Sequence, residues 1–201
     1  MKDNVCDIEK ILIEMVESDP LRKASFENTW YNFLYDKIIK LSKSIIYLNN
    51  KECFDSVSII YRSLLESFID FCMLCKYPEF ENYLRWKDLE QNLKFKKDDR
   101  LKNLGINSNH IEEINEDLQK LEALDPNCKQ YDNFEYKLKL LKIESAYLSY
   151  RLTSKCVHSR SYKEEWIKDI SNTCLKMLPV TLEEVKKRVR AFIEGRVLPE
   201  D

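Results

Sequence analysis

The chain has 201 residues and a formal net charge of −2, enough length for one large domain that buries roughly 70% of its unfolded surface, and no overall charge bias toward nucleic acid or membrane. Two glycines and five prolines beside 34% charged residues exclude a turn-rich β protein and a low-complexity chain, and predict an all-α fold. Seven scattered cysteines, an odd number, argue against a disulfide framework and for a reducing, cytoplasmic setting.

In chain order, residues 4–18 read as a short amphipathic helix with Val5, Ile8, Ile11, Leu12 and Met15 on one side. Acidic residues at Asp7, Glu9, Glu14 and Glu17 interrupt it, so it does not read as a signal peptide. Two long helices follow, about 22–49 (Phe26, Trp30, Phe33, Leu34, Ile38, Leu41, Ile45) and about 52–76 (Val57, Tyr61, Leu64, Leu65, Phe68, Cys72, Cys75). The second is the most apolar segment, but Arg62, Glu66 and Asp70 break it, which marks a buried bundle helix rather than a membrane span.

After Pro78 a more polar helix over 79–103 is expected to end at Gly105, and Ser108 or Asn109 to cap a helix over 110–124. Residues 125–133 read as a mobile loop and 134–158 as one long helix. Pro179 is expected to separate a helix over 163–178 from one over 182–194, with Thr181 and Glu184 as its capping box. Pro20, Pro126 and Gly195 are further expected boundaries. Together these elements predict a single up-and-down bundle of long antiparallel helices, residues 1–201, with a short helical insertion at about 105–133.

Two constellations carry chemistry. Arg62 and Glu66 lie one turn apart among Leu64, Leu65, Phe68 and Ile69, in the less favourable order for a surface pair. A charged pair in an apolar helix needs a partner, so contact with another helix is expected. Tyr147, Arg151, Ser154 and His158 fall at roughly +40°, −20° and +20° from the first of them, on one stripe of a helix. Guanidinium, imidazole and hydroxyls on one face suit an anionic phosphate and a proton transfer. Charge is uneven here: residues 112–135 carry eight acids and two lysines, while 136–163 carry seven bases and one glutamate, so an anion is drawn to the second segment.

The segments YRSLLESFIDFCMLC and YLSYRLTSKCVHSRS together resemble domain-of-unknown-function family 5677. That resemblance aligns Arg62, Glu66, Tyr150, Ser154 and His158 with the family's mid-chain Arg–Glu pair and its later tyrosine, serine and histidine, and implies a helical fold and a shared site, without an activity. Arg151 through His158 also has the six-residue separation at the upper limit of the Arg-x(4 to 6)-His signature of HEPN domains, helical bundles that include metal-independent RNases of prokaryotic defence and toxin systems. By that looser resemblance His158 is the general acid or base of RNA transesterification, Arg151 steadies the phosphate, and the protein is a homodimer. Leu152, following the arginine, departs from the polar residue common there.

Other motifs are weaker. Cys72 and Cys75 have zinc-ligand spacing but sit in an apolar helix, so no metal and no cofactor is expected. Lys186, Lys187, Arg188 and Arg190 read as the wet face of an amphipathic helix. The leading expectation is an HEPN-like RNA-cleaving or RNA-binding cytoplasmic protein, a homodimer working with a defence-system partner and off the membrane. Arg151 and His158 are its catalytic pair, Tyr147, Tyr150 and Ser154 position the phosphate, and Arg62 and Glu66 orient the pair. The rival is a non-enzymatic interaction module in which the same residues form an interhelical lock or a small-ligand site. In either case the pocket is expected between the helices over 52–76 and 134–158.

Overall fold

The computed structural model describes residues 2–18, 29–98, 111–144, 146–158 and 163–195, the side chains of 2–4, 29 and 155–158 excepted. These residues form eight α-helices and one 3₁₀ turn, and no strand among them. The helices are α1 (Lys2–Ser18), α2 (Thr29–Asn50), α3 (Phe54–Lys76), α4 (Phe80–Lys97), α5 (Ile111–Leu124), α6 (Phe134–Leu141), α7 (Ala146–His158) and α8 (Glu164–Ile193), with the 3₁₀ turn at Gln130–Asp132. The all-α class follows from the composition. The boundary at Pro20, the aromatic Phe26, Leu101, the Gly105 helix end and the Ser108 or Asn109 cap lie outside the described residues. No helix among the described residues is long and apolar enough to cross a membrane.

The helices group into two compact units, Met1–Lys76 with Leu138–Asp201, and Tyr77–Lys137; the insertion expected at about 105–133 falls within the second. In the first unit α3 is the central element. Every residue from Ser67 to Leu74 is buried, and a helix buried on all faces must be surrounded. It packs against α2, α7 and α8. Val57, Leu64, Ile69, Phe71 and Met73 have no exposed surface, each contributing about 2 kcal/mol of transfer free energy. Phenols tie the neighbours in: Tyr31 Oη donates to Leu74 O at 2.9 Å and Tyr35 Oη to Met15 O at 3.0 Å, while the Tyr31 ring stacks on Phe192 at 4.3 Å between centroids.

The second unit is an aromatic core on α4, α5 and the turn after them. Phe80, Tyr83 and Tyr131 meet at 4.8–5.8 Å, and Trp86 Nε1 donates to Glu122 Oε1 at 3.0 Å. Lys137, only 3% exposed, places its ammonium 5.4 Å from the Tyr83 centroid and 6.0 Å from that of Phe80, a cation–π box that compensates its burial. The stretch expected as a mobile loop, 125–133, is instead packed: Cys128 and Tyr131 are buried, Asp125 Oδ1 accepts from Asn127 N, and Asn133 Oδ1 caps α6 by accepting from Glu135 N.

Two expected helices differ from the structure. The single helix over 134–158 is broken in two at Lys142, whose φ is 57°. Ile143 N donates back to Leu138 O at 3.0 Å and Lys142 N to Lys139 O at 3.1 Å, a Schellman termination with lysine where glycine is usual. Glu52 ends α2 the same way, at φ 58°. Conversely, Pro179 does not end a helix but lies inside α8. Ile170, Cys174, Leu178, Leu182, Val185 and Val189 are buried along one stripe through it, and that continuous burial outweighs the roughly 3 kcal/mol interior penalty of proline. The expected capping box therefore does not form; Thr181 Oγ1 donates to Met177 O at 3.1 Å. Gly195, at φ 63°, follows the end of α8 as expected.

A non-glycine residue in the left-handed region costs about 1–2 kcal/mol, partly regained against glycine's greater unfolded-state freedom. Lys142→Gly is therefore expected to raise unfolding free energy by about 0.5–1 kcal/mol and Lys142→Val to lower it by about 1 kcal/mol, read as shifts of the urea midpoint at constant slope.

Candidate functional site on the third and seventh helices

The turn after Lys142 delivers the chain into α7, with Ala146 N bonded to Ile143 O and Tyr147 N to Glu144 O. Thr153, 2% exposed, marks the inner face, and its hydroxyl bonds back to Ser149 O and Tyr150 O at 3.0 and 2.9 Å. Ser154 Oγ does the same, donating to Tyr150 O at 2.8 Å. Its proton is thus committed to the helix backbone, a common habit of mid-helix serines, and only its lone pairs remain for a ligand.

Tyr150 is the residue that joins α7 to α3. Arg62 Nη2 donates to Tyr150 Oη at 2.9 Å, and Arg62 Nε donates to Glu66 Oε1 at 3.2 Å. The guanidinium carbon also lies 4.9 Å from the centroid of the Tyr150 ring. One planar cation thus satisfies an intrahelical carboxylate and an interhelical phenol together, which its fork of donors allows and a lysine's does not. Burial works against the Arg62 charge, but Tyr150 and Glu66 more than offset it, and the group's pKa lies above the ordinary arginine value. The side chains of Arg62 and Glu66 are 25% and 44% exposed. The cluster is therefore open to solvent rather than sealed inside the unit, with the Tyr150 phenol oxygen accepting from Arg62.

Arg151 is exposed, and its guanidinium stands 5.8 Å from the Tyr147 centroid. Among the described residues no carboxylate lies within 4.0 Å of it, and its contact there is with the Tyr147 ring. His158 is the last residue of α7; its side chain, with those of Cys156 and Val157, lies outside the described residues. The structure thus brings Arg62, Glu66 and Tyr150 into one cluster, and Tyr147 with Arg151 into a neighbouring pair.

Between α3, α7 and α8 lies a cavity of about 30 Å³ lined in part by Tyr61, Ser149, Leu152 and Thr153, room for about a water molecule. The Tyr61 hydroxyl there has no hydrogen-bond partner among the described residues. Cys72 is fully buried, and burial pushes its thiol upward and the Cys75 thiol up to about 12, against the nearby Arg188. No group of three potential metal ligands occurs among the described residues.

Arg188, expected on a wet basic face, is 7% exposed. Its Nε lies 2.8 Å from Glu184 Oε1 as an ion pair, though without hydrogen-bond alignment. The Val185–Val189 core stripe carries it inward. Its neighbour Lys186 instead bridges α8 to α1, bonding Glu14 at 2.7 Å.

An all-α chain with an arginine–glutamate–tyrosine cluster between two helices is what the fold and geometry define. The chain belongs to a family of unknown function (DUF5677), whose profile matches residues 29–164, a span that contains both α3 and α7. No curated protein matches the chain, and no solved structure does.

Arg62 and Tyr150 should be coupled in stability. A double-mutant cycle of Arg62→Met and Tyr150→Phe in urea unfolding is expected to give an interaction energy of about 1 kcal/mol, the size of a half-exposed charge-assisted hydrogen bond. Strict additivity would show that the contact does not tie the helices.

Proposed function

We propose that α7 presents an RNA-phosphate site and that the protein is an HEPN-like, metal-independent ribonuclease, cytoplasmic and dimeric, of a prokaryotic defence or toxin system. The observation that carries this reading is Arg151: an exposed guanidinium steadied over the Tyr147 ring, with no carboxylate partner among the described residues. Such a group has its donors available for a phosphate. Arg62, committed to Glu66 and Tyr150, plays the different part of fixing α7 against α3.

In this mechanism the RNA 2′-hydroxyl attacks the adjacent phosphorus and the 5′-oxygen leaves, giving a 2′,3′-cyclic phosphate and a free 5′-hydroxyl. His158 takes the 2′ proton or supplies one to the leaving oxygen, and Arg151 holds the negative charge that gathers on the phosphate. The two residues are seven positions apart, roughly 10 Å along the axis, so a second subunit's copy of the helix completes the site more readily than one helix does. Tyr150 and Ser154 are half-buried, and in this reading the phenol and the serine lone pairs position the sugar and phosphate.

A second reading is favoured by the internal satisfaction of the cluster. Arg62 uses donors on both Glu66 and Tyr150, and Ser154 bonds its own helix, as expected of an interhelical lock in a non-enzymatic interaction module. The two are separated by incubating total RNA and tRNA with wild type, Arg151→Ala and His158→Ala in EDTA, with folding followed by circular dichroism. The ribonuclease reading expects cyclic-phosphate products that fall at least about 100-fold in both folded variants. Absence of cleavage by wild type in the dimeric state would leave the lock.

A further inference from the structure

A concavity of about 540 Å³ lies away from α7, between α1 and α2. Its floor is Leu12 and Ile46, both buried, and its walls are Ile13, Val16 and Tyr47, which remain 55%, 46% and 62% exposed. Three of these side chains, Ile13, Val16 and Tyr47, thus stand exposed side by side in one open groove rather than singly.

The rims decide what it takes. Glu9 lies on the α1 rim and Lys43 on the α2 rim. Among the described residues Glu9 has no cation and Lys43 no carboxylate within 4.0 Å, whereas other acids of α1 are matched: Glu14 pairs with Lys186 at 2.7 Å and Asp7 with Lys10 at 3.7 Å. The groove thus has an apolar floor between an acidic rim and a basic rim, and the two charges are not spent on each other. From Glu9 to Glu17 the α1 rim spans about 12 Å, two turns of helix.

We propose that this groove docks a short amphipathic helix of another protein, three turns or so long, with apolar residues at i, i+3 or i+4, and i+7 in the groove, a basic flank facing α1 and an acidic flank facing α2. Helix-in-groove recognition uses this arrangement. Opposed rim charges fix the direction of the incoming helix, because reversing it sets like charges against each other. An anionic lipid surface fits less well, since it meets Glu9 on the α1 rim.

The test uses the full chain and a designed 14-residue helical peptide with a leucine stripe, lysines on one flank and glutamates on the other, labelled for fluorescence anisotropy. Saturable micromolar binding is expected, weakened at least about tenfold by Ile13→Glu or by Tyr47→Ser, both at exposed positions, and about threefold by Glu9→Lys or Lys43→Glu. The double variant Glu9→Lys/Lys43→Glu is expected to recover binding, because the peptide then docks in the opposite direction. Equal binding of a scrambled peptide of the same composition would overturn the proposal, as would binding indifferent to Ile13→Glu and Tyr47→Ser. So would self-association in sedimentation that Ile13→Glu abolishes, which would assign the groove to a second copy, or preferential binding to phosphatidylserine vesicles.

Discussion

The first unit is organised by the need to cover α3. Its C-terminal half has no polar face to turn to water, so other helices must enclose it, and α2, α7 and α8 do so. Arg62 and Glu66 precede the fully buried run from Ser67 to Leu74, at positions where enclosure is incomplete. Their position decides where a neighbouring helix must offer a polar group, and Tyr150 is that group. Hydrophobic enclosure supplies most of the stabilisation, and the arginine–phenol contact selects the rotation of α7 at a cost of little net energy.

Arg62 and Arg188 show how one residue type diverges with its surroundings. Both have a glutamate one turn away on their own helix, at 3.2 and 2.8 Å. Arg62 stays partly wet and adds an interhelical bond; Arg188 is drawn inward beside Cys72 and Cys75 by the core stripe of α8. The first arrangement leaves a polar surface at which a ligand can arrive. The second is enclosed, and burial raises the neighbouring thiols against the opposing pull of Arg188.

Much of this fold was legible in the sequence because helix propensity and 3.6-residue periodicity act locally. The positions of α1, α3 and α5 follow from them, as does the expectation that Arg62 reaches another helix. What local reasoning missed has a tertiary cause in each instance. Pro179 reads as a stop, but continuous burial on both sides carries α8 through it. Lys142 reads as an ordinary helical residue, because nothing in lysine announces a left-handed conformation; only the return of Ile143 toward Leu138 requires it. Arg188 looks wet because its three cationic neighbours in sequence are so read. In the candidate site, helical phase grouped Tyr147 with Arg151 correctly, whereas the backbone bond of Ser154 and the sideways reach of Tyr150 depend on rotamers that spacing does not specify.

The left-handed residue at Lys142 also acts as a phase setter. Between it and Ala146 there are only three residues, and α7 packs on α3 with the Tyr150 phenol bonded to Arg62. Each residue added to or removed from that connection turns a following helix by about 100° about its axis, enough to carry Tyr150 from the Arg62 side toward solvent and to bring Arg151 inward. This polar cluster therefore tolerates many substitutions in this connection more readily than one change in its length, so insertions and deletions, rather than point changes, set the limits within which this part of the chain is free to vary.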